Sequence, residues 1–427
     1  LVHLLPSLAS VFAGDTINIS TGLGLDDLLL ALRMVGDLLT HVLRSGPDYG
    51  SEEGDDVSLE AMMIDPTFTF FQTQMLPKYS ALLTGPDPLP QLALKILFTV
   101  LDHNVQFVSK VEDARLVRKI VSCLTSKNIH SGEQECSVHA ARVLWCVLCW
   151  DQTSILKIHT YDVVHRLRKS TIVAHRTSAS SCYEPLLACT ESILLHGCDM
   201  VRSSAEGLSK GRQNGGGTSS NSITRPIEKL LKLKDVREYI RELLHLEYVE
   251  VLTSLISNPK GESAVACEEV QLRASQCLLL MGQFLGSEMY EILLSSSECL
   301  NNICDGLIGR YNTVGTGNNS SNSGQESRTS RYDRNSININ NNNKPHDISD
   351  RRIQTSMRTL QTFVFACDSS SNFCTMISKN KRLINVLEKC ERSNDKRDLR
   401  TAVSGSWAGL SVSALAHVLN QKLRNVK

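Results

Sequence analysis

The feature that most constrains this chain is an apolar helical pattern that returns at a fixed interval. Ala93-Leu94-Lys95-Ile96-Leu97-Phe98-Thr99-Val100-Leu101 and Ala140-Ala141-Arg142-Val143-Leu144-Trp145-Cys146-Val147-Leu148 are apolar at the same positions and begin 47 residues apart. Each is followed by a polar break and then by another helix, beginning near Leu116 in the first copy and near Val163 in the second. In the first copy a short apolar turn (Phe107, Val108) intervenes. Ala274 opens a further copy (Cys277, Leu278, Met281) leading to Leu300, and Ser356 another (Thr359, Leu360, Phe363, Val364) leading to Leu383. Weaker copies fit near Tyr183 (Leu186, Leu187) and Pro226 (Leu230, Leu233). From 274 to 356 is 82 residues, 44 of them outside the polar tract 312–349. One such unit has too little apolar face to fold alone, so neighbours must stack into a continuous core. Ala93, Ile96, Leu97, Ala140, Val143 and Leu144 are the positions expected to be buried at matching places.

A period of roughly 40–47 residues is that of armadillo and HEAT units. The fold class is therefore all-α: an armadillo/HEAT-type helical repeat solenoid with disordered insertions. Start signals agree. Asp26 can cap the run Leu28–Leu43. Asp65-Pro66 reads as a cap followed by a proline at the first helical position, and Pro88 and Pro90 precede the run Leu92–Leu101. Alternating β patterns with hairpin turns are essentially missing. The expected organisation is a helical start at 1–44 and repeats over 59–202. A flexible linker at 203–224 is followed by repeats over 225–311, a low-complexity insertion at 312–349 and C-terminal repeats over 350–427. The linker holds Gly215-Gly216-Gly217, the insertion holds an Asn-rich run from Asn338 to Asn343, and 45–58 is Gly-rich and acidic. Such tracts bury too little apolar surface to offset their ordering entropy.

With 45 basic and 45 acidic residues the charges balance. This removes the usual electrostatic argument for a nucleic-acid or anionic-membrane partner. No stretch approaches the ~18 consecutive apolar residues of a membrane span. The chain begins with Leu1 and is expected to be a fragment. The 14 cysteines are scattered singly along apolar faces (Cys123, Cys189, Cys277, Cys390), as expected of reduced thiols in a cytoplasmic protein.

The segment Leu82-Leu83-Thr84-Gly85-Pro86-Asp87-Pro88-Leu89-Pro90-Gln91-Leu92-Ala93-Leu94-Lys95-Ile96-Leu97, extended to Asn104, resembles part of the C-terminal repeat region in the Fused/RUNKEL branch of unc-51-like kinases. The resemblance implies a helical region downstream of a kinase or pseudokinase domain. It also implies protein partners of the microtubule, cilium or signalling machinery, and a cytoskeletal or ciliary location. The chain itself has no glycine-rich nucleotide loop, no His-Arg-Asp loop and no Asp-Phe-Gly. It is read as a non-catalytic interaction scaffold, with no cofactor and no catalytic or metal residues. The alternatives are a regulatory region of an active Ser/Thr kinase and an unrelated trafficking or cytoskeletal repeat protein. The Asn/Trp ladder of nuclear-import adaptors is missing, and Trp145 and Trp150 are expected to be buried.

Three motifs carry less than they suggest. Cys146-Val147-Leu148-Cys149 lacks the second ligand pair of a zinc site and the strand-to-helix turn of a redox site. Gly207-Leu208-Ser209-Lys210-Gly211 has the spacing of a nucleophile elbow but no preceding strand. His139, His159, His165 and His175 do not sit at metal-ligand spacing with carboxylates on one helical face. One surface feature points to a partner. Arg118-Lys119 and His165-Arg166 fall at equivalent positions of the helices near Leu116 and Val163, with Arg168-Lys169 close by. If those are third helices, which line the concave face of armadillo arrays, their stacked basic side chains would meet an acidic segment such as a tubulin-like tail or a phosphopeptide.

Overall fold

The computed structural model describes residues 23–45, 66–103, 107–124, 131–150, 162–213, 234–259, 261, 263–312, 345–392 and 410–426. Every regular element among them is helical. The chain divides into two compact units, residues 1–243 and 244–427.

In the first unit the long helices are α1 (Leu23–Ser45), α4 (Leu89–His103), α7 (Ser131–Trp150) and α9 (Tyr183–Gln213). Between them lie short α2 (Pro66–Phe70) and α3 (Tyr79–Leu82), then α5 (Val108–Asp113), α6 (Val117–Ser122) and α8 (Val163–Thr177). α2 opens on Pro66 and α4 carries Pro90 in its first turn, where the missing N–H costs no intrahelical bond. The long helices stack in order, α1 on α4, α4 on α7 and α7 on α9. α6 packs on α7 and α8 on α9, forming a second row. The rows are stitched at the end of α6: Ser137 Oγ on α7 and Ser170 Oγ on α8 both donate to the Leu124 carbonyl, at 2.9 and 2.6 Å. This satisfies a helix-terminal acceptor that would otherwise be orphaned in the interior.

The second unit repeats this plan. Its long helices α11 (Ala264–Leu285), α14 (Pro345–Ser369) and α17 (Val412–Asn425) stack, and α10 (Leu246–Ser257), α13 (Ser297–Asn312) and α16 (Lys381–Glu391) form the second row. Short α12 (Ser287–Ser295) and α15 (Ser371–Ser378) connect them. Side-chain caps set the starts: Ser263, Ser370, Asn380 and Ser411 each accept from the backbone N–H three residues on. Gly286, at φ 61°, ends α11 in a conformation that side chains with a Cβ rarely adopt. At Gly306 a Cβ would lie 2.9 Å from the Ile256 carbonyl oxygen, so glycine lets α13 close onto α10.

The expected core is found. Ala93, Leu97, Ala140, Val143 and Leu144 are fully buried and Ile96 nearly so; Ala274, Cys277, Leu278, Leu360 and Val364 occupy the matching places. Several boundaries differ from the sequence reading. Residues 203–213 continue α9 as helix instead of beginning a linker, because helical backbone bonds run on until Gln213, ahead of the glycine triplet. Helices also reach Asn312 on one side of the low-complexity tract and begin at Pro345 on the other. The rest of both tracts, residues 46–58 of the acidic break and the weak copy near Pro226 lie outside the described residues. Trp150, expected to be buried, is 41% exposed, and Trp145 is half-buried. Trp150 is the last residue of α7.

Candidate functional site

Two arrangements of functional side chains stand out in the first unit. The first contains half of the basic positions singled out in the sequence. α6 and α8, which carry them, are second-row helices and not the long stacked ones, so the third-helix assignment is corrected. Each unit runs from a short helix through a second-row helix to a long one, as α5, α6 and α7 do. Arg118 is exposed and Lys119 half-buried on α6, while Lys169 is exposed on α8. His165 and Arg168 are engaged at the start of α8. Arg168 donates to the Glu242 carbonyl, and its second guanidinium nitrogen lies 3.2 Å from His165 Nδ1. The Val164 N–H donates to the Tyr239 hydroxyl at 3.2 Å, which brings the 234–243 segment against α8. Burial raises the Tyr239 phenol, which stays neutral.

These contacts place ligand atoms of Asp162, His165 and Glu242 within 4.8 Å of one another. The sequence reading missed this group because Glu242 is far along the chain. A cation fits it poorly. The Arg168 guanidinium occupies the Nδ1 side of His165 and brings its own positive charge. The cluster is a hydrogen-bonded joint of two chain segments, in which His165 and Arg168 are engaged with one another and with the Glu242 carbonyl. Arg166 also has a local interaction.

The second arrangement lies on the open face of the long helices, on α4 and α7. Gln91 donates to Glu135, and the Arg142 guanidinium stands over the Phe98 ring, 5.5 Å from its centroid. Between these two rungs are Lys95, exposed, and His139, half-buried. His139 Nδ1 is buried without a hydrogen-bond partner. Burial, with the positive charges of Arg142 and Lys95, lowers His139 to a pKa of about 4. Further along the same helices follow exposed Asp102, Cys149 and Trp150.

The remaining motifs have structural roles. Burial pushes the Cys146 thiol up to about 12, so it stays protonated and is no redox nucleophile, while Cys149 is exposed. Gly207 to Gly211 lie within helix α9 and form no strand-to-helix elbow. No helix among the described residues is long and apolar enough to cross a membrane.

Known proteins match this arrangement in part. The family model for HEAT repeats of "Serine/threonine-protein kinase ULK4-like" proteins matches residues 2–109. The mouse (Mus musculus) "Serine/threonine-protein kinase ULK4" is 30% identical over 118 residues, which is 27% of this chain and 8% of that protein. The chain thus spans a small part of this relative's length. Among solved structures, the "Crystal complex of SYS-1/POP-1" superposes with a TM-score of 0.55 at 11% identity, covering 99% of this chain and 63% of that one. A designed armadillo repeat protein gives a TM-score of 0.42 at 12% identity over 82% of this chain and 99% of its own. The fold is an armadillo/HEAT repeat fold. The sequence resemblance holds at the level of an unc-51-like HEAT repeat region.

Proposed function

We propose that this chain is a non-catalytic protein-interaction scaffold whose partner-binding face is the row of long helices in its first unit. The observation that carries the reading is the set of rungs crossing from α4 to α7: Gln91 with Glu135, Lys95 beside His139, and Phe98 under Arg142. Helix stacking fixes their spacing, and Arg and Trp side chains of this kind anchor interfaces. The likeness in fold to the SYS-1/POP-1 complex supports protein binding as the role. The part resemblance supports a parent of the Fused/RUNKEL-like kinase or pseudokinase kind, cytoplasmic and acting in microtubule, cilium or signalling assemblies. The basic side chains of the second row, Arg118, Lys119 and Lys169, would then serve as a secondary contact.

The test is site-specific photocrosslinking. The crosslinking residue is placed at Cys149 on the long-helix row or at Lys169 on the second row, in the full chain, and exposed to cytosolic extract. Saturable adducts from position 149, competed by unmodified chain, are expected. Adducts from position 169 alone would sink the reading. Regulation of an active kinase is favoured instead if the dominant adduct is a kinase domain.

A further inference from the structure

The register between α4 and α7 defines a site for one anion. Gln91–Glu135 and Phe98–Arg142 are both pairs of residues 44 positions apart. Lys95 and His139 share that offset and form the rung between them. On each helix the middle and lower positions are three residues apart, Lys95 to Phe98 and His139 to Arg142, so all four share one face. The Arg142 guanidinium has an aromatic ring as its neighbour, which holds it in place without neutralising it. His139 Nδ1 is buried and unpaired, a position that native structures usually fill. The charges that bear on it are Arg142 on its own helix and Lys95 on α4. Glu135 is held by Gln91.

We infer that Lys95 and Arg142, the two cations next to His139, bind the phosphate of a phosphorylated serine or threonine in a partner segment. The inference rests on the reading of the long-helix face as the partner-binding face. A phosphate monoester carries about −1.5 to −2 at neutral pH, matched by two permanent cations, whereas a carboxylate needs one. The imidazole, kept neutral by burial and by those cations, leaves the phosphate to them and stands beside it. Charge-assisted bonds from a guanidinium and an ammonium to phosphate oxygens are among the strong ones. Glu135 and Asp102 stand on either side of the cationic rung. A run of anions would meet them and be repelled, so the site selects an isolated phosphate over a polyacidic tail or a nucleic-acid backbone.

The full chain, with histidine rings labelled at Cε1, is titrated by NMR with a short Gly/Ala peptide carrying one phosphoserine. The His139 resonance is assigned through His139→Asn. A saturable shift of that resonance is expected, with the serine and glutamate versions of the peptide binding at least about tenfold more weakly, about 1.4 kcal/mol. Lys95→Gln with Arg142→Gln should abolish the shift while the far-UV spectrum and melting stay unchanged. If the double variant melts differently, exposed Lys95→Gln alone serves and should weaken binding severalfold. An unmoved His139 resonance, an equal response in the variants, or equal binding of the glutamate peptide overturns the inference. Persisting adducts from position 149 in that case leave the scaffold reading standing. Loss of those adducts removes the reading on which the inference rests.

Discussion

The seams between long helices differ sharply in the two units. α4 and α7 pack on one another, and Ala93, Leu94, Leu97 and Val100 of the one and Ala140, Val143, Leu144 and Val147 of the other are buried. The equivalent helices of the second unit, α11 and α14, carry a buried polar stripe: Glu268, Ser275 and Gln276 on α11, and Thr355, Ser356, Thr359, Gln361 and Thr362 on α14. Charge is handled there by pairing. Arg352 donates to Glu268, whose side chain is 6% exposed, and Arg351 lies 3.5 Å from Glu269. Arg358 donates to the Leu272 carbonyl at 3.4 Å. Both seams bury apolar side chains, and the second adds contacts across it, from Arg352 to Glu268, Arg351 to Glu269 and Arg358 to the Leu272 carbonyl. The first seam leaves its polar groups on the open face, where a partner can reach them. The second uses them internally.

The contrast predicts effects of different size. Leu97→Ala removes a fully buried side chain from the apolar seam and should destabilise the first unit by roughly 2–5 kcal/mol, read by urea denaturation. A loss below about 1 kcal/mol would mean that α4 and α7 do not depend on that packing. In the second unit, Arg352→Ala strands a buried carboxylate and should cost about 1–3 kcal/mol, because Glu268 loses its charged partner. Restoring Arg352 while changing Gln276→Leu makes the opposite comparison. The Gln276 side-chain carbonyl is buried and unpaired, so replacing it should leave stability unchanged or raise it. A large loss there would show that the seam needs its polarity.

A pH experiment separates the units again. His139 has a folded pKa of about 4 against an ordinary value of 6.5. The unfolded chain therefore takes up a proton first as pH falls. The contribution of neutral His139 to stability is complete above pH 6.5 and is lost progressively towards pH 4. The loss should be about 1 kcal/mol, since water still reaches part of the ring and screens the effect. It should vanish in His139→Asn and leave melting of the second unit unaffected. The smallest effect belongs to the surface. Lys95→Gln should change stability by less than about 0.5 kcal/mol, so any loss of binding it causes is a loss of contact.

Much of the fold is legible in the sequence because burial leaves a period there. The offset between Leu97 and Leu144 identifies corresponding core positions, and Asp65-Pro66 and Pro88 announce helix starts through local backbone chemistry alone. The row to which each helix belongs is not legible. Helices near Leu116 and Val163 share the apolar spacing of the long ones, and spacing does not say which of them stack on one another. That is why the linear pattern assigns Arg118, Lys119 and His165 to the wrong row.

The sequence by itself determined that the chain is helical, repetitive, balanced in charge and without the motifs of a kinase core. These properties depend on residue type and local order, which a linear pattern records. Only the tertiary structure decided which polar residues meet. Glu242 reaches His165 and Arg168 because the 234–243 segment folds back on α8. Lys95 stands beside His139 because α4 and α7 stack in a single register. Each residue in these groups is ordinary alone. Their chemistry comes from distances across the fold, and a shift of one helical turn between α4 and α7 would dissolve the cationic rung without changing a single residue.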